Sequence, residues 1–153
     1  MKQQNISLHT NKKALFDYEI VQGYEAGIKL TGSEVKSIRA KQCNLKGSYV
    51  TLASGRPIIK GFHISPYASL GNKKAIDPAY DRELFLRRKT IDYLSGKLKE
   101  KGFSLIPTEV YSKGNLIKIS VALARGRKHF EKKQVLKERD VSRDMDREMS
   151  KFK

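Results

Sequence analysis

The chain has 153 residues, the length of one domain. Its 32 lysines and arginines exceed its 16 aspartates and glutamates, which gives a net charge of +16 at pH 7. A surplus of this size is typical of proteins that bind polyanions, and phosphate backbones are the most common of these. A membrane is disfavoured as the partner, because the sequence has neither an apolar segment of spanning length nor an evident amphipathic anchor.

The single cysteine, Cys43, excludes an intramolecular disulfide and a cysteine-rich metal site. The first residues are polar and lack the apolar stretch of a secretory signal. We therefore expect a cytoplasmic protein.

The first third of the chain is predicted to hold a loose arm, two strands and a short helix. Residues 1–10 form the arm, and apolar–polar alternation predicts strands over residues 15–21 and 26–30, on either side of a glycine-bracketed turn. Ser33 can cap the helix that follows. In that helix Val35 and Ile38 share one face, while Lys36 and Arg39 share another.

The middle of the chain is predicted to add two strands, a helix and a hairpin. The strands cover residues 48–53 and 58–64, and a loop rich in proline and glycine follows. Helical spacing runs over residues 80–101, with Thr90 as a possible internal cap and Gly102 as the stop. Residues 103–111 and 116–124 form the hairpin. Its second strand is predicted to turn one row of residues inward: Ile117, Ile119, Val121 and Leu123.

Residues 125–153 have the composition of a basic tail, with eleven lysines and arginines against six acids. Val141, Met145 and Met149 recur every four positions, so a helix would carry only a thin apolar stripe. We predict a tail that is disordered when free and helical against a partner. The chain then divides into an arm (1–10), a domain (11–124) and the tail (125–153).

About six short strands, local hairpins and an interrupting helix predict a fold that is mainly β with flanking helices. These elements suggest a small antiparallel β-barrel, which removes sheet edges. Barrels of this type often bind nucleic acids, although that is an association with the fold and not evidence of function.

The sequence offers little that is typical of an enzyme. The three histidines are scattered, no nucleotide-binding or hydrolase motif occurs, and we expect no metal and no cofactor. One alternative is a metal-dependent nuclease, because Glu34-Val35-Lys36 has the E-x-K spacing of such sites. That site needs a second acid from among Asp17, Glu19 and Glu25, whereas the predicted Ser33 cap places the triplet on a helix.

Several blocks of sequence, in order along the chain, resemble one family, the SsrA-binding proteins, also called small protein B. The most distinctive block covers residues 27–39. The others are Asn11 to Ala14 followed by Tyr18, then 44–45, 48–50, 64–67, 77–78, 82–86, 102–107, 118–119, 126–128 and 137–140.

The resemblance implies a small antiparallel β-barrel with an OB-like core and flanking helices. It also implies an adaptor of ribosome rescue that performs no bond chemistry. Members bind the tRNA-like domain of transfer-messenger RNA and, with elongation factor Tu, deliver it to stalled ribosomes for trans-translation. There they stand in for the anticodon half of a tRNA at the small-subunit decoding centre. Their C-terminal tail becomes helical in the vacant mRNA channel.

The same resemblance implies the site residues. Those expected to contact RNA are Asn11, Lys12, Lys13, Glu34, Lys36, Arg39, Leu84 and Lys118. Those expected to contact the ribosome are Arg127, Lys128, His129, Phe130, Lys137, Arg139, Arg143 and Arg147. Lysines and arginines can neutralise phosphates, and the asparagine and glutamate can bond sugar hydroxyls or base edges.

Alternatives remain for some of these assignments. Glu34 can serve only as a helix cap, and Leu84 can belong to the core. Many relatives have histidine where this chain has Arg87, and either His129 or Phe130 can take the place of a ribosome-contacting histidine. A ribosomal or general single-strand-binding protein would fit the charge and the barrel as well.

Overall fold

The computed structural model describes residues 5–66, 77–128, 132–134 and 136–137. In chain order the elements are β1 (Asn5–Thr10), α1 (Lys12–Asp17), β2 (Tyr18–Ile28), α2 (Gly32–Arg39), β3 (Cys43–Asn44), β4 (Tyr49–Thr51), β5 (Ile58–Lys60), β6 (His63–Ile64), β7 (Arg82–Phe85), α3 (Arg88–Leu98), β8 (Phe103–Lys113) and β9 (Leu116–Gly126). No helix within these ranges is long and apolar enough to cross a membrane.

Seven strands form one antiparallel sheet in the order β1-β8-β9-β2-β7-β5-β4, and β3 pairs with β6 in a separate ribbon. The sheet curls until β4 approaches β8, but among the described residues no ladder joins these two strands. Because β4 and β8 are not joined, the described sheet is an open barrel and not a closed one. The prediction of a mainly β fold with flanking helices is confirmed.

The long strands β8 and β9 form a hairpin inside the sheet, and alternate residues of β9 face the main core. Ile117, Ile119, Val121 and Leu123 are all buried on the inner face, as predicted. On the outer face Ala122 and Ala124 are buried as well, because α1 packs there through Ala14. Small side chains at these positions let the helix approach the sheet closely.

The N-terminal predictions are partly wrong. Residues 5–10 are not a loose arm, since β1 pairs with β8 from Asn5 opposite Lys113 to Thr10 opposite Glu109. Residues 12–17 form α1 instead of a strand, because the Asn11 side chain caps a helix by accepting from the amide of Ala14 at 3.3 Å. The turn expected near residues 23–27 does not occur, and β2 runs through without a break.

The helix predicted over residues 80–101 is shorter than expected. Arg82–Phe85 is a strand that pairs with both β2 and β5, and α3 begins only at Arg88. Its N-cap is Arg87, so Thr90 is not the cap, and Gly102, at φ +94°, leads into β8. The cap of α2 also differs from the prediction, since Thr31 replaces Ser33 in that position.

The start of the tail lies against α1. The amide of Arg127 donates to the Asp17 carbonyl at 2.8 Å, and Lys132 lies 3.4 Å from the Asp17 carboxylate. Residues 132–134 and 136–137 are helical. Disorder of the free tail stays a prediction. The predictions for residues 138–153 lie outside the described residues.

Candidate nucleic-acid interface

One basic surface, which we call the tip surface, lies near the β8–β9 turn and includes Arg39, Lys113, Lys118, Glu25 and Phe85. Helix α2 joins it because Nη2 of Arg39 donates to the carbonyl of Asn115 in that turn at 3.1 Å. The structure thus places two of the predicted RNA-contacting residues near the same turn, since Arg39 bonds to it and Lys118 lies in β9 shortly after it. Lys36 is exposed on the same helix, three residues before Arg39.

Gly27 lets an aromatic ring and an ammonium group lie side by side on this surface. It is the partner of Phe85 in β7 and of Lys118 in β9. A Cβ at Gly27 would lie 3.3 Å from Cβ and Cδ2 of Phe85 and 3.8 Å from Nζ of Lys118. Phe85 is 54% exposed, so its ring can stack on an unpaired base while Lys118 neutralises a phosphate.

Leu84 faces the opposite way from Phe85. It is 1% exposed and packs in the main core, so the alternative interpretation of Leu84 as a core residue is correct. Adjacent residues of a strand point to opposite faces, which explains why only one of the two reaches the surface. The apolar contact that was predicted for Leu84 is available at Phe85 instead.

Glu25 is held in place by two donors. The Tyr111 hydroxyl donates to Oε2, and Nζ of Lys113 lies 3.3 Å from Oε1. The hydrogen bond from Tyr111 lowers the pKa of Glu25 against a smaller effect of burial, and the charges of Lys113 and Lys118 lower it further. The result is an oriented carboxylate that lies among cations. It can accept a hydrogen bond from a ribose hydroxyl or a base amino group.

Sequence reasoning missed Glu25, Lys113 and Phe85. The alternation of β2 contains a usable signal, because Ala26 is buried and Glu25 must therefore face outward. The outward position of Phe85 depends on its pairing with Gly27, which the sequence did not reveal.

A second basic surface, which we call the α1 cleft, is a shallow depression of about 520 Å³. Its lining includes the exposed side chains of Lys12, Lys13 and Lys46. Strand β1 connects the two surfaces, since it begins opposite Lys113 and ends immediately before α1. An RNA that follows β1 could contact both surfaces.

Asn11 helps to build the α1 cleft without reaching into solvent. It is 3% exposed, and its Nδ2 donates to the carbonyls of Leu45 at 3.3 Å and Pro107 at 2.9 Å. Its Oδ1 accepts from the amide of Ala14. The folded chain therefore uses Asn11 as a cap and a bridge between segments, and a direct contact of Asn11 with RNA stays a prediction.

Glu34 is likewise engaged inside the protein. Oε1 accepts from the amide of Thr31 at 3.0 Å and the hydroxyl of Tyr80 at 2.7 Å, and Oε2 lies 2.5 Å from Nε of Arg82. Burial would raise the pKa of Glu34, yet these hydrogen bonds and the charge of Arg82 lower it overall. The alternative of a helix-capping role is confirmed by the Thr31–Glu34 capping box.

The nuclease hypothesis loses its geometric basis. Glu34 is on a helix and its carboxylate is paired with Arg82. Two of the three candidate partner acids are engaged elsewhere, since Asp17 is bridged to Lys13 at 3.6 Å and Glu25 is bonded to Tyr111. Within the described ranges, no group of three or more potential ligands is placed to hold a metal ion.

The residues predicted to contact the ribosome are only partly described. Arg127 is partly buried, and its Nε donates to the carbonyl of Tyr18 at 3.2 Å. Lys128 and Lys137 are exposed, the latter in the short helical stretch. The remaining five lie outside the described residues: His129, Phe130, Arg139, Arg143 and Arg147.

Comparisons with known proteins point to one family. The sequence model of one family, described as "SmpB protein", matches residues 8–151. An SsrA-binding protein of Gloeothece citriformis is 44% identical over 142 residues, which cover 93% of this chain and 92% of that protein. An SsrA-binding protein of a Sulfurihydrogenibium species is 45% identical over 138 residues, 90% of each chain.

Among solved structures, one described as "tmRNA-SmpB: a journey to the center of the bacterial ribosome" contains a similar chain. The two superpose with a TM-score of 0.66 at 37% sequence identity. The match covers 79% of this chain and 85% of the other.

Proposed function

The chain belongs to the SmpB protein family, and from this premise we propose that it binds transfer-messenger RNA and acts with it on the ribosome in trans-translation. The observation that carries the proposal is the tip surface. There an exposed aromatic ring, an oriented carboxylate and two lysines lie on one sheet, and Arg39 of α2 lies beside the β8–β9 turn. This combination suits folded RNA with an unstacked base better than it suits a duplex read through its backbone alone.

Each part of the proposed interface has a definite role. Lys36, Arg39 and Lys118 neutralise phosphates of the tRNA-like domain, and Phe85 stacks on a base. Glu25 accepts a hydrogen bond from a ribose or base, which provides discrimination that charge alone does not give. Lys12, Lys13 and Lys46 of the α1 cleft bind a further stretch of backbone.

The tail takes part in the second half of the proposed function. Arg127 and Lys128 lie where the chain leaves the sheet. With Lys137 and the rest of the tail they contact the small-subunit decoding centre and the mRNA channel. The chain stands in for the anticodon half of a tRNA, and elongation factor Tu joins the complex during delivery. The protein acts in the cytoplasm as an adaptor and not as an enzyme.

Competition between two RNAs tests the proposal. Labelled transfer-messenger RNA bound to the full chain is challenged with unlabelled transfer-messenger RNA or with an unstructured oligonucleotide of equal length and charge. We expect the unstructured RNA to compete more weakly by a factor on the order of a hundred or more, because specific complexes exceed non-specific ones by large ratios. Equal competition would favour a general single-strand-binding protein instead.

A further inference from the structure

A buried ion pair joins helix α2 to strand β7. Arg82 is 2% exposed, and its Nε lies 2.5 Å from Oε2 of Glu34. Its two terminal nitrogens donate to the backbone carbonyls of Phe62, of Pro78 at 2.8 Å and of Tyr80 at 3.4 Å. The guanidinium also lies 4.2 Å from the centre of the Tyr80 ring. One side chain thus fastens four segments of the chain.

The other end of the pair is equally committed. Glu34 accepts from Thr31, Tyr80 and Arg82, and it begins the helix that presents Lys36 and Arg39. Burying two charges is costly, so such a pair adds little net stability, whereas removing one partner leaves an uncompensated charge. Its main physical effect is therefore to fix geometry.

The geometry that it fixes belongs to the tip surface. Arg82 is in the same short strand as Phe85, and Glu34 is in the same helix as Arg39. At its other end α2 is held by Ile38, which is buried in the core, and by the exposed bond from Arg39 to the Asn115 carbonyl. An RNA phosphate that engages Arg39 competes with that exposed bond, whereas the buried ion pair keeps its own partners in the complex.

We propose that Glu34 and Arg82 are positioning residues for RNA binding, which hold the cations of α2 at a set distance from the ring of Phe85. The inference rests on the proposed function. Because the surface is assembled before the RNA arrives, binding does not bear the entropic cost of ordering α2. Glu34 thereby influences RNA binding without touching the RNA.

Two substitutions test this role. Glu34→Gln removes a negative charge, which by simple electrostatics would strengthen RNA binding; positioning predicts that the affinity for transfer-messenger RNA falls by about tenfold, within the range of coupling inside one network. Tyr80→Phe keeps the ring and both charges but removes the hydroxyl bond, and we expect a loss of about threefold. Asp81→Asn, an exposed acid paired with Lys60 at 3.7 Å, is the matched control and should bind as the unchanged chain does.

The same substitution in a second background separates positioning from other roles. In the Lys36→Ala/Arg39→Ala chain, Glu34→Gln should lower the affinity by less than about twofold, because the groups it positions are gone. Equal losses in both backgrounds would overturn the proposal, since they would indicate direct contact or general unfolding. Unchanged binding by both Glu34→Gln and Tyr80→Phe would overturn it as well.

Separate control measurements address the folding of the variants and the proposed function. Urea unfolding measures the stability of each variant, and binding is measured at a temperature at which all variants are folded. If Glu34→Gln is too unstable for this, Tyr80→Phe carries the test. If the unchanged chain does not prefer transfer-messenger RNA over the unstructured oligonucleotide, the proposed function fails. If it does prefer it and the variants behave like the control, only the positioning role fails.

Discussion

Leu84 and Phe85 are neighbours in β7 with opposite environments, and exchanging each for alanine should separate folding from RNA binding. Leu84 is 1% exposed, so Leu84→Ala leaves a cavity and should lower the free energy of unfolding by about 2–5 kcal/mol. Phe85 is 54% exposed, so Phe85→Ala should change that free energy by no more than about 1 kcal/mol. Loss of one base stack costs about 1–3 kcal/mol of binding. The affinity for transfer-messenger RNA should therefore fall by between about fivefold and about 150-fold.

Urea unfolding measures the first quantity, and fluorescence anisotropy with labelled transfer-messenger RNA measures the second. Phe85→Leu is the matched control, because it keeps an apolar side chain and removes the aromatic face. The dependence of affinity on salt should not change in Phe85→Ala, since no phosphate contact is lost. Unimpaired binding by Phe85→Ala, or a folded Leu84→Ala chain that binds more weakly than Phe85→Ala, would refute the assignment of the two faces.

Further predictions concern charge, thiol reactivity, acid stability and the tail. Lys118→Ala should reduce the slope of log affinity against log salt concentration by about one unit, and the affinity at 0.1 M salt by about eightfold. Lys118→Arg should leave the slope and the affinity unchanged. Equal slopes in the unchanged chain and both variants would contradict a phosphate contact. Burial raises the pKa of Cys43 from 9.0 to about 11, so its thiolate is about a hundredfold rarer. Alkylation by iodoacetamide should be roughly tenfold slower in the native than in the urea-unfolded chain, after allowing for the greater nucleophilicity of a more basic thiolate, and equal rates would be inconsistent with this burial. The pKa values of Glu25 and Glu34 lie below their ordinary 4.5, so the stability they contribute is present above that pH and is lost as the pH falls further. The urea midpoint should fall between about pH 6 and about pH 3, and by less in Glu34→Gln; a midpoint that rises on acidification would contradict the sign. Deleting residues 131–153 should spare RNA binding and abolish rescue of stalled ribosomes, whereas loss of both would show that the division of roles is wrong.

The sequence predicted the buried face of a strand or helix correctly where that face depends on the spacing of residues within the element. The alternation of β9 identified its inward face, because a half-buried strand imposes a period of two on its apolar residues. The spacing of Val35 with Ile38 and of Lys36 with Arg39 also gave the faces of α2, since helical neighbours lie three or four residues apart.

The sequence was misleading where the secondary structure of a segment depends on contacts with distant parts of the chain. Phe16, Tyr18 and Ile20 alternate like a strand, yet residues 12–17 are helical because Asn11 is fixed by the carbonyls of Leu45 and Pro107. These partners are far along the chain, so no local pattern contains them.

Prediction of the candidate site was limited by the same dependence on distant segments. The resemblance placed RNA contacts at Glu34 and Leu84, but the partner of Glu34 is Arg82, which is 48 residues away, and Leu84 faces the core. A shift of one residue along a strand moves a contact to the other face of the sheet, so motif blocks alone could not choose between Leu84 and Phe85.

Sequencing the RNA that copurifies with the tagged full chain from cells tests the central claim most directly. The account predicts that transfer-messenger RNA is enriched far above its cellular share, and that the enrichment is lost in a chain carrying both Phe85→Ala and Lys118→Ala. Recovery of RNA in proportion to its abundance, with no transcript favoured, would contradict the account.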